Sequence, residues 1–205
     1  LGFVFIQEKD WIQAAHYWGR LYDEYPHHTA LSQVQQHLPH LYFNLGTQHY
    51  ANGAQKDAEK AFLKTVDLDP GYGAAFYNLG LVYRDLEQFN QSQSALENAL
   101  DLQYDSLQVQ SVLAHVYTLK GSLEDAEILF RRLLKEGKDP VSPHRGLVTV
   151  KVKQKDIAGA LVEAFTVVAH APRDAASFSL LAYVYEHTGN GERYGVGFQS
   201  DKAIT

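Results

Sequence analysis

The chain has 205 residues, a formal net charge of −6, an apolar fraction of 45% and a charged fraction of 20%. These values are typical of a folded globular protein and argue against intrinsic disorder. The net negative charge argues against nucleic-acid binding, because a protein that neutralises phosphates normally carries a basic face.

The residue types that are absent exclude further classes of site. The chain has no cysteine, which removes disulfides, thiolate metal ligands and cysteine nucleophiles. It has no methionine either, so we expect a fragment of a larger protein. No apolar run is long enough to span a bilayer. The sequence does not identify a compartment, and cytoplasmic and periplasmic locations both stay open.

A short motif recurs along the chain at a constant spacing. The pairs Leu45-Gly46, Leu79-Gly80 and Leu113-Ala114 lie 34 residues apart. Each pair is followed at fixed distances by a small residue and then by a large apolar one: Ala58 and Phe62, Ser92 and Leu96, Ala126 and Phe130. Such self-similarity indicates a repeat architecture, in which each repeat is one supersecondary unit.

This pattern resembles the tetratricopeptide repeat, whose signature is W-x2-L-G-x2-Y, then A-x3-F, then P, over about 34 residues. Small residues at the motif positions let the two helices of a hairpin approach closely. A proline such as Pro70 lacks an N–H group and ends the second helix. The resemblance implies an all-α fold, a right-handed superhelical solenoid of antiparallel helix hairpins.

In this register the chain is a series of repeats with atypical ends. The predicted segments are an incomplete first repeat at 1–26, a linker at 27–38, repeats at 39–72, 73–106 and 107–140, a divergent repeat at 141–174, a half repeat at 175–189 and an irregular C-terminal tail at 190–205. The linker is predicted because this segment is longer than a normal inter-repeat turn. The repeat at 141–174 is divergent because Val148 and Lys151 replace the usual Gly and Tyr.

The resemblance implies that the first helix of each hairpin lines a concave groove. The candidate partner-binding residues at the groove positions are Phe43, Asn44, Thr47, Tyr50, Tyr77, Asn78, Leu81, Arg84, His115, Arg145 and Tyr183. Among them, Phe43, Tyr50 and Tyr77 are predicted aromatic anchors, since aromatic side chains often dominate binding energy.

Two asparagines are the sharpest feature of the predicted groove. Asn44 and Asn78 both stand at the sixth position of successive repeats, whereas later repeats have Val112, Gly146 and Leu180 there. A side-chain amide offers a donor and an acceptor together, which matches the backbone of an extended peptide. The resemblance implies that asparagines at this position bind such a backbone. The alternative is that asparagine is simply frequent at this position and contacts only water.

Other chemistry has weaker support. His37 and His40 have a spacing at which helical histidines can share a metal, but no third ligand accompanies them. The chain contains no phosphate-binding glycine loop, no G-x-S-x-G and no H-E-x-x-H motif. We therefore expect no metal, no cofactor and no catalytic centre in these residues.

The sequence thus predicts a protein–protein interaction scaffold or adaptor that holds a protein or extended peptide in its groove. The resemblance favours support for the assembly of a larger complex of the secretion, pilus, surface-polysaccharide or chaperone type. Two alternatives stay open. In the first, the chain self-associates through uncapped ends such as Phe3–Ile6 and forms a homo-oligomer. In the second, it is the targeting arm of an enzyme whose catalytic domain lies outside this fragment.

Overall fold

The structure is a computed structural model that describes residues 2–25, 27–29, 31–137 and 139–187. Within these ranges the regular secondary structure is helical, and no β-strand occurs. The helices are α1 (Gly2–Gln7), α2 (Trp11–Glu24), α3 (Leu31–Ala51), α4 (Gln55–Leu68), α5 (Gly73–Asp85), α6 (Phe89–Asp101), α7 (Ser106–Lys120), α8 (Leu123–Glu136), α9 (Val141–Lys153), α10 (Ile157–His170) and α11 (Ala175–His187).

The contacts between helices run mainly between helices that follow one another in the chain. The contacts of α3 with α4, α5 with α6 and α9 with α10 form hairpins, and each of α4, α8 and α10 also packs on the helix that follows it. The chain divides into two compact units, unit 1 at residues 1–116 and unit 2 at residues 117–205. The division falls within α7. The predicted all-α solenoid of helix hairpins is confirmed.

Local sequence signals fix several helix ends. The side chain of Asp10 caps α2 by accepting a hydrogen bond from the backbone N–H of Gln13 (3.1 Å), as short acceptor side chains do at helix N-termini. After α3 and α7 the backbone adopts positive φ at Gly53 (+75°) and Gly121 (+90°). Glycine adopts this conformation without a steric penalty, so both residues are effective helix stops.

The repeated small residues perform the packing role that the motif predicts. In unit 1, a Cβ atom added to Gly46 would lie 2.7 Å from the ring of Phe62, and one added to Gly80 would lie 2.6 Å from Leu96. The buried Ser92 hydroxyl donates to the Gly80 carbonyl oxygen at 2.6 Å, which joins α6 to α5. The glycines are therefore needed because a larger side chain would separate the two helices of each hairpin.

In the divergent repeat of unit 2, the two helices pack closely without a glycine at the motif position. Val148 replaces the motif glycine, yet it is fully buried. It packs in one cluster with Ala160 and Ala164 of α10 and with Val184 of α11. The small residues on the second helix thus make room for the valine that the first helix presents.

The predicted linker at 27–38 differs from the structure. Residues 31–38 form the first two turns of α3, which continues to Ala51 with Pro39 inside the helix. The physical reason is that Val34, Leu38 and Leu41 share one apolar helix face. This face packs in one cluster with Trp18 of α2. That burial favours the longer helix even though a proline in a helix interior removes a backbone hydrogen bond.

Some predictions fall on residues that are not described. The predicted tail at 190–205, the last two residues of the half repeat and the last residue of the first repeat lie outside the described residues. The described part of the half repeat contains α11. In the described ranges, no helix combines the length and the apolar character that crossing a bilayer requires.

Candidate partner-binding groove

The predicted groove residues occur on the first helices of the predicted hairpins. In unit 1 they lie on α3, α5 and α7. Asn44 lies on α3, Asn78 lies on α5 and His115 lies on α7. In unit 2, Arg145 lies on α9 and Tyr183 lies on α11. We use the term α3–α5 face for Asn44 and Thr47 on α3 together with their repeat equivalents Asn78 and Leu81 on α5.

At the end of the face, a hydrogen bond from Tyr50 to Asp85 joins α3 to α5, and Arg84 pairs with the same carboxylate from within α5. The hydroxyl of Tyr50 on α3 donates to Asp85 Oδ2 on α5 at 2.5 Å, and the guanidinium of Arg84 pairs with Asp85 Oδ1 at 2.8 Å. Burial and the Asp85 hydrogen bond raise the pKa of Tyr50 to about 12. Tyr50 therefore keeps its proton at neutral pH, so the bond that holds the two helices in register persists.

The α5 and α7 helices are joined in a similar way. Tyr77 of α5 forms a side-chain hydrogen bond with Gln108 of α7. Burial, and then the nearby guanidinium of Arg84, lower the pKa of the His115 imidazole, although the residue as a whole is exposed. At neutral pH this histidine is therefore neutral, and the Arg84 charge is largely balanced by Asp85.

The predicted aromatic anchors pack within unit 1. The ring of Phe43 lies 5.0 Å from that of Tyr72 and 5.8 Å from that of Phe62 between centroids. Tyr77, which is only 9% exposed, lies 5.8 Å from Tyr104 at the end of the same repeat. Both rings thus contribute to the core in addition to the partner contacts predicted for them, which stay predictions.

Sequence analysis did not assign a role to Tyr72 and Tyr104, which stand in the turns after α4 and α6. Each covers the aromatic residue of the preceding first helix, and the Tyr72 hydroxyl also bonds to His40 Nδ1 at 2.8 Å. The available signal was Tyr104 itself, which occupies the position of the motif proline. A large aromatic residue at a turn position indicates that the turn folds back onto its own repeat.

The two asparagines differ from the polar groups around them. Thr47 Oγ1 donates to the Phe43 carbonyl oxygen within its own helix at 2.9 Å, so its hydroxyl is already bonded. Asn44 and Asn78 are both half-buried. Among the residues that the structure describes, neither side-chain amide has a hydrogen-bond partner. These two residues, which we name the amide pair, retain their full donor and acceptor capacity.

The predicted groove residues of unit 2 contact their own unit. The guanidinium of Arg145 forms an ion pair with Asp174, the residue just before α11. Backbone bonding from Ala176 and this guanidinium lower the pKa of Asp174. The ring of Tyr183 lies 4.3 Å from that of His187, one turn further along α11. Arg145 therefore has an intramolecular counter-ion, which connects α9 to the start of α11.

A polar cluster in unit 2 had not been recognised from the sequence. Glu163, the only carboxylate on the apolar helix α10, is 7% exposed. Its Oε2 atom is hydrogen-bonded to His144 Nδ1 at 2.5 Å, and its Oε1 atom lies 3.6 Å from Arg131 Nη2. A single glutamate in an otherwise apolar helix was the available signal, since a buried carboxylate normally requires a partner.

A second carboxylate connects α8 to α9. Glu127 accepts hydrogen bonds from Lys151 Nζ at 2.9 Å and from Arg131 Nη2 at 2.9 Å. These bonds, with that of Lys151 the strongest, lower the pKa of Glu127 to about 2. We name Glu127, Arg131, His144, Lys151 and Glu163 together the unit 2 polar cluster.

Within the described residues, no group of three or more His, Asp or Glu side chains is arranged to hold a metal ion. The two histidines considered for such a site have other contacts. The ring of His37 lies 6.0 Å from that of Trp18, and His40 bonds to Tyr72.

These features define a class of protein, an array of helix hairpins with small residues at the crossing points. A family model for the tetratricopeptide repeat matches residues 77–143, which include the Tyr77–Leu79–Gly80 motif and the Ala126–Phe130 motif. The resemblance to tetratricopeptide repeats that was seen in the sequence is therefore confirmed.

The relatives are similar in fold and distant in sequence. The chain is 23% identical to Superkiller protein 3 of Schizosaccharomyces pombe over 65% of this chain and 10% of that protein, so it spans about a tenth of the relative. A tetratricopeptide repeat protein from Parabacteroides merdae superposes with a TM-score of 0.75 at 15% identity, over 94% of this chain and 72% of that one. PilW, described as a type IV pilus biogenesis factor, superposes with a TM-score of 0.70 at 14% identity, over 98% of this chain and 90% of PilW.

Proposed function

We propose that the chain is a protein-interaction adaptor, in which the α3–α5 face holds an extended segment of a partner protein. The observation that carries this proposal is the amide pair. Asn44 and Asn78 stand at equivalent positions of successive repeats, are half-buried, and have no bonding partner in the described part of the chain.

The chemistry of the pair suits a peptide backbone. Each amide can donate to a backbone carbonyl and accept from a backbone N–H group. Each such bond contributes about 0.5–1.5 kcal/mol net. Recognition of the backbone leaves the partner's side chains to be selected elsewhere, so the pair fixes the path of the segment and not its sequence.

The setting of the pair also supports this role. The hydrogen bond from Tyr50 on α3 to Asp85 on α5 holds the two helices together, which fixes the spacing of the two amides before a partner arrives. Preorganisation of this kind lowers the entropic cost of binding. The charge of Arg84 is balanced by Asp85, so the face has no strong preference for a charged partner.

The identity of the partner is not specified by the fold. Among the similar structures, PilW is described as a type IV pilus biogenesis factor. By analogy we propose that this chain supports the assembly of a larger complex, of the secretion, pilus, surface-polysaccharide or chaperone type. The adaptor role requires no chemical step, so catalysis is not part of the proposal.

The experiment compares two double variants of the immobilised chain in a native extract. Asn44→Ala with Asn78→Ala removes the amide pair. Asn90→Ala with Asn98→Ala makes the same chemical change at exposed positions on α6. Captured proteins are quantified by mass spectrometry, and thermal unfolding is measured to verify that both variants are folded.

We expect the first variant to lose a partner that the wild type and the α6 variant retain. The loss of two bonds at about 0.5–1.5 kcal/mol each corresponds to an affinity that is about 5- to 150-fold weaker. Equal capture by all three proteins would show that the amide pair does not bind the partner, and the adaptor proposal for this face would be wrong.

A further inference from the structure

A cavity of about 240 Å³ opens in unit 1 directly beside Asn44. It lies between the first three helices and is lined by Ile6 of α1, by Trp11 and Trp18 of α2, and by His37, Leu41 and Asn44 of α3. Asn44 therefore belongs both to the amide pair and to the rim of this cavity.

The walls of the cavity are apolar and aromatic. Trp18 and Leu41 are buried, and none of the lining residues that the structure describes carries a permanent charge. Among these described residues, the titratable groups are His37 and His40, of which His40 is bonded to the Tyr72 hydroxyl. A cationic or anionic side chain would be desolvated here without a counter-ion, which is strongly unfavourable.

The size of the cavity indicates what can enter it. An apolar cavity of about 150 Å³ in a protein core is large enough to bind benzene. The cavity beside Asn44 is larger, at about 240 Å³, so it has room for a six-membered ring together with the carbon that links the ring to a peptide backbone.

We propose that this cavity is a specificity pocket, which takes a large uncharged apolar side chain, best an aromatic one, from the partner segment. The inference rests on the proposed function, because the segment is the one whose backbone the amide pair holds. Asn44 at the rim forms hydrogen bonds with the backbone of the same partner residue whose side chain enters the cavity. The amide pair then fixes the path of the segment, and the cavity selects its sequence.

The cavity contains its own reporter. The chain has two tryptophans, and both line the cavity, so intrinsic tryptophan fluorescence reports occupancy. The first probe is N-acetylphenylalaninamide, with N-acetylalaninamide as the matched compound without a ring. We expect a saturable change of fluorescence with the phenyl compound and none with the alanyl compound at the same concentration.

Two substitutions on one helix test the location. Ile6→Phe places a ring into the cavity, whereas Val4→Phe places the same ring at a position of α1 that is 49% exposed and outside the cavity. We expect the first to abolish the phenyl response and the second to leave it unchanged. His37→Phe fills the cavity from its exposed side and serves if Ile6→Phe does not fold, as judged by thermal unfolding.

A displayed library of random peptides connects the cavity to the amide pair. Peptides selected on the wild type are measured against Ile6→Phe, Val4→Phe and the Asn44→Ala, Asn78→Ala variant. The inference predicts that selected peptides share one large apolar residue and bind about 10- to 100-fold more weakly to Ile6→Phe, the loss expected when one such side chain is no longer buried.

Three results overturn the inference, and they are distinguishable. Peptides that need the amide pair but bind Ile6→Phe normally would retain the adaptor function and exclude the pocket. A phenyl response without any peptide that needs the amide pair would make the cavity a small-molecule site and would exclude the adaptor function. No phenyl response and no shared apolar residue would show that the cavity has no part in recognition.

Discussion

The two units use the same helix hairpin and differ in what their polar side chains do. On the α3–α5 face of unit 1, the amide pair has no partner among the described residues. In unit 2 the sixth repeat positions are Gly146 and Leu180, and polar side chains bond to each other, as the partly buried His144 does to the buried Glu163. The repeat pattern determines the backbone fold and the small packing residues. Polar side chains at the remaining positions can either stabilise their own unit or bind a partner.

This comparison predicts that substitutions in the two units have different consequences. Changes in the unit 2 polar cluster should lower stability, and changes to the amide pair should lower binding with little effect on stability. The largest expected effect is at Glu163.

Glu163→Ala should destabilise the chain by about 1–3 kcal/mol, because it leaves the partly buried His144 without its hydrogen-bonded carboxylate. The control Glu124→Ala removes a carboxylate from an exposed position of α8 and should change the free energy of unfolding by less than about 0.5 kcal/mol. Urea unfolding measures both. If the two variants are equally stable, the bond between His144 and Glu163 does not brace unit 2.

The second prediction concerns stability in acid. The pKa of Glu127 is lowered from 4.5 to about 2, chiefly by the hydrogen bond with Lys151. The unfolded chain therefore takes up a proton on this carboxyl at higher pH than the folded chain does. The stability that the bond contributes is complete above pH 4.5 and is lost as the pH falls toward 2.

Lys151→Met removes the largest cause of this shift, and so the loss of unfolding free energy between pH 5 and about pH 2 should be shallower than in the wild type. Lys153→Met, at an exposed position of the same helix, provides the control. Parallel acid profiles for the wild type and Lys151→Met would contradict the assignment of this acid sensitivity to Glu127.

The smallest expected effect is at Tyr50. Tyr50→Phe removes the hydroxyl that donates to Asp85, and should cost about 0.5–1.5 kcal/mol of stability. Because this bond holds α3 and α5 together, partner affinity should also fall, but less than when the amide pair itself is removed. Tyr25→Phe, at an exposed position, should leave both quantities unchanged. A loss of affinity as large as that of the amide variant would mean that Tyr50 itself contacts the partner.

Much of the fold is predictable from the sequence because the packing rule is local and periodic. Gly46 and Gly80 recur in register with Phe62 and Leu96, and each glycine meets its large partner across one hairpin. The start of α3 was not predictable by the same rule. Pro39 matches the repeat boundary, but the apolar face of residues 34–41 continues through it and packs on Trp18, which only the three-dimensional arrangement reveals.

The candidate site was predictable in part for a similar reason. The repeat register predicts which residues lie on the first helix of each hairpin, so Asn44 and Asn78 can be predicted as site residues from the sequence. The contacts of Tyr72 with Phe43 and of Glu163 with His144 join residues whose separation is unrelated to the repeat period. Such contacts depend on the direction of individual side chains, and a periodic pattern does not encode it.

The central claim is that the amide pair bonds directly to a peptide backbone. The most direct test records the side-chain amide NMR signals of the asparagines in ¹⁵N-labelled protein, free and with a captured peptide. The claim predicts that the signals of Asn44 and Asn78 shift and exchange with water more slowly in the complex, while those of Asn90 and Asn98 do not change. Unchanged signals from the amide pair in a saturated complex would contradict it.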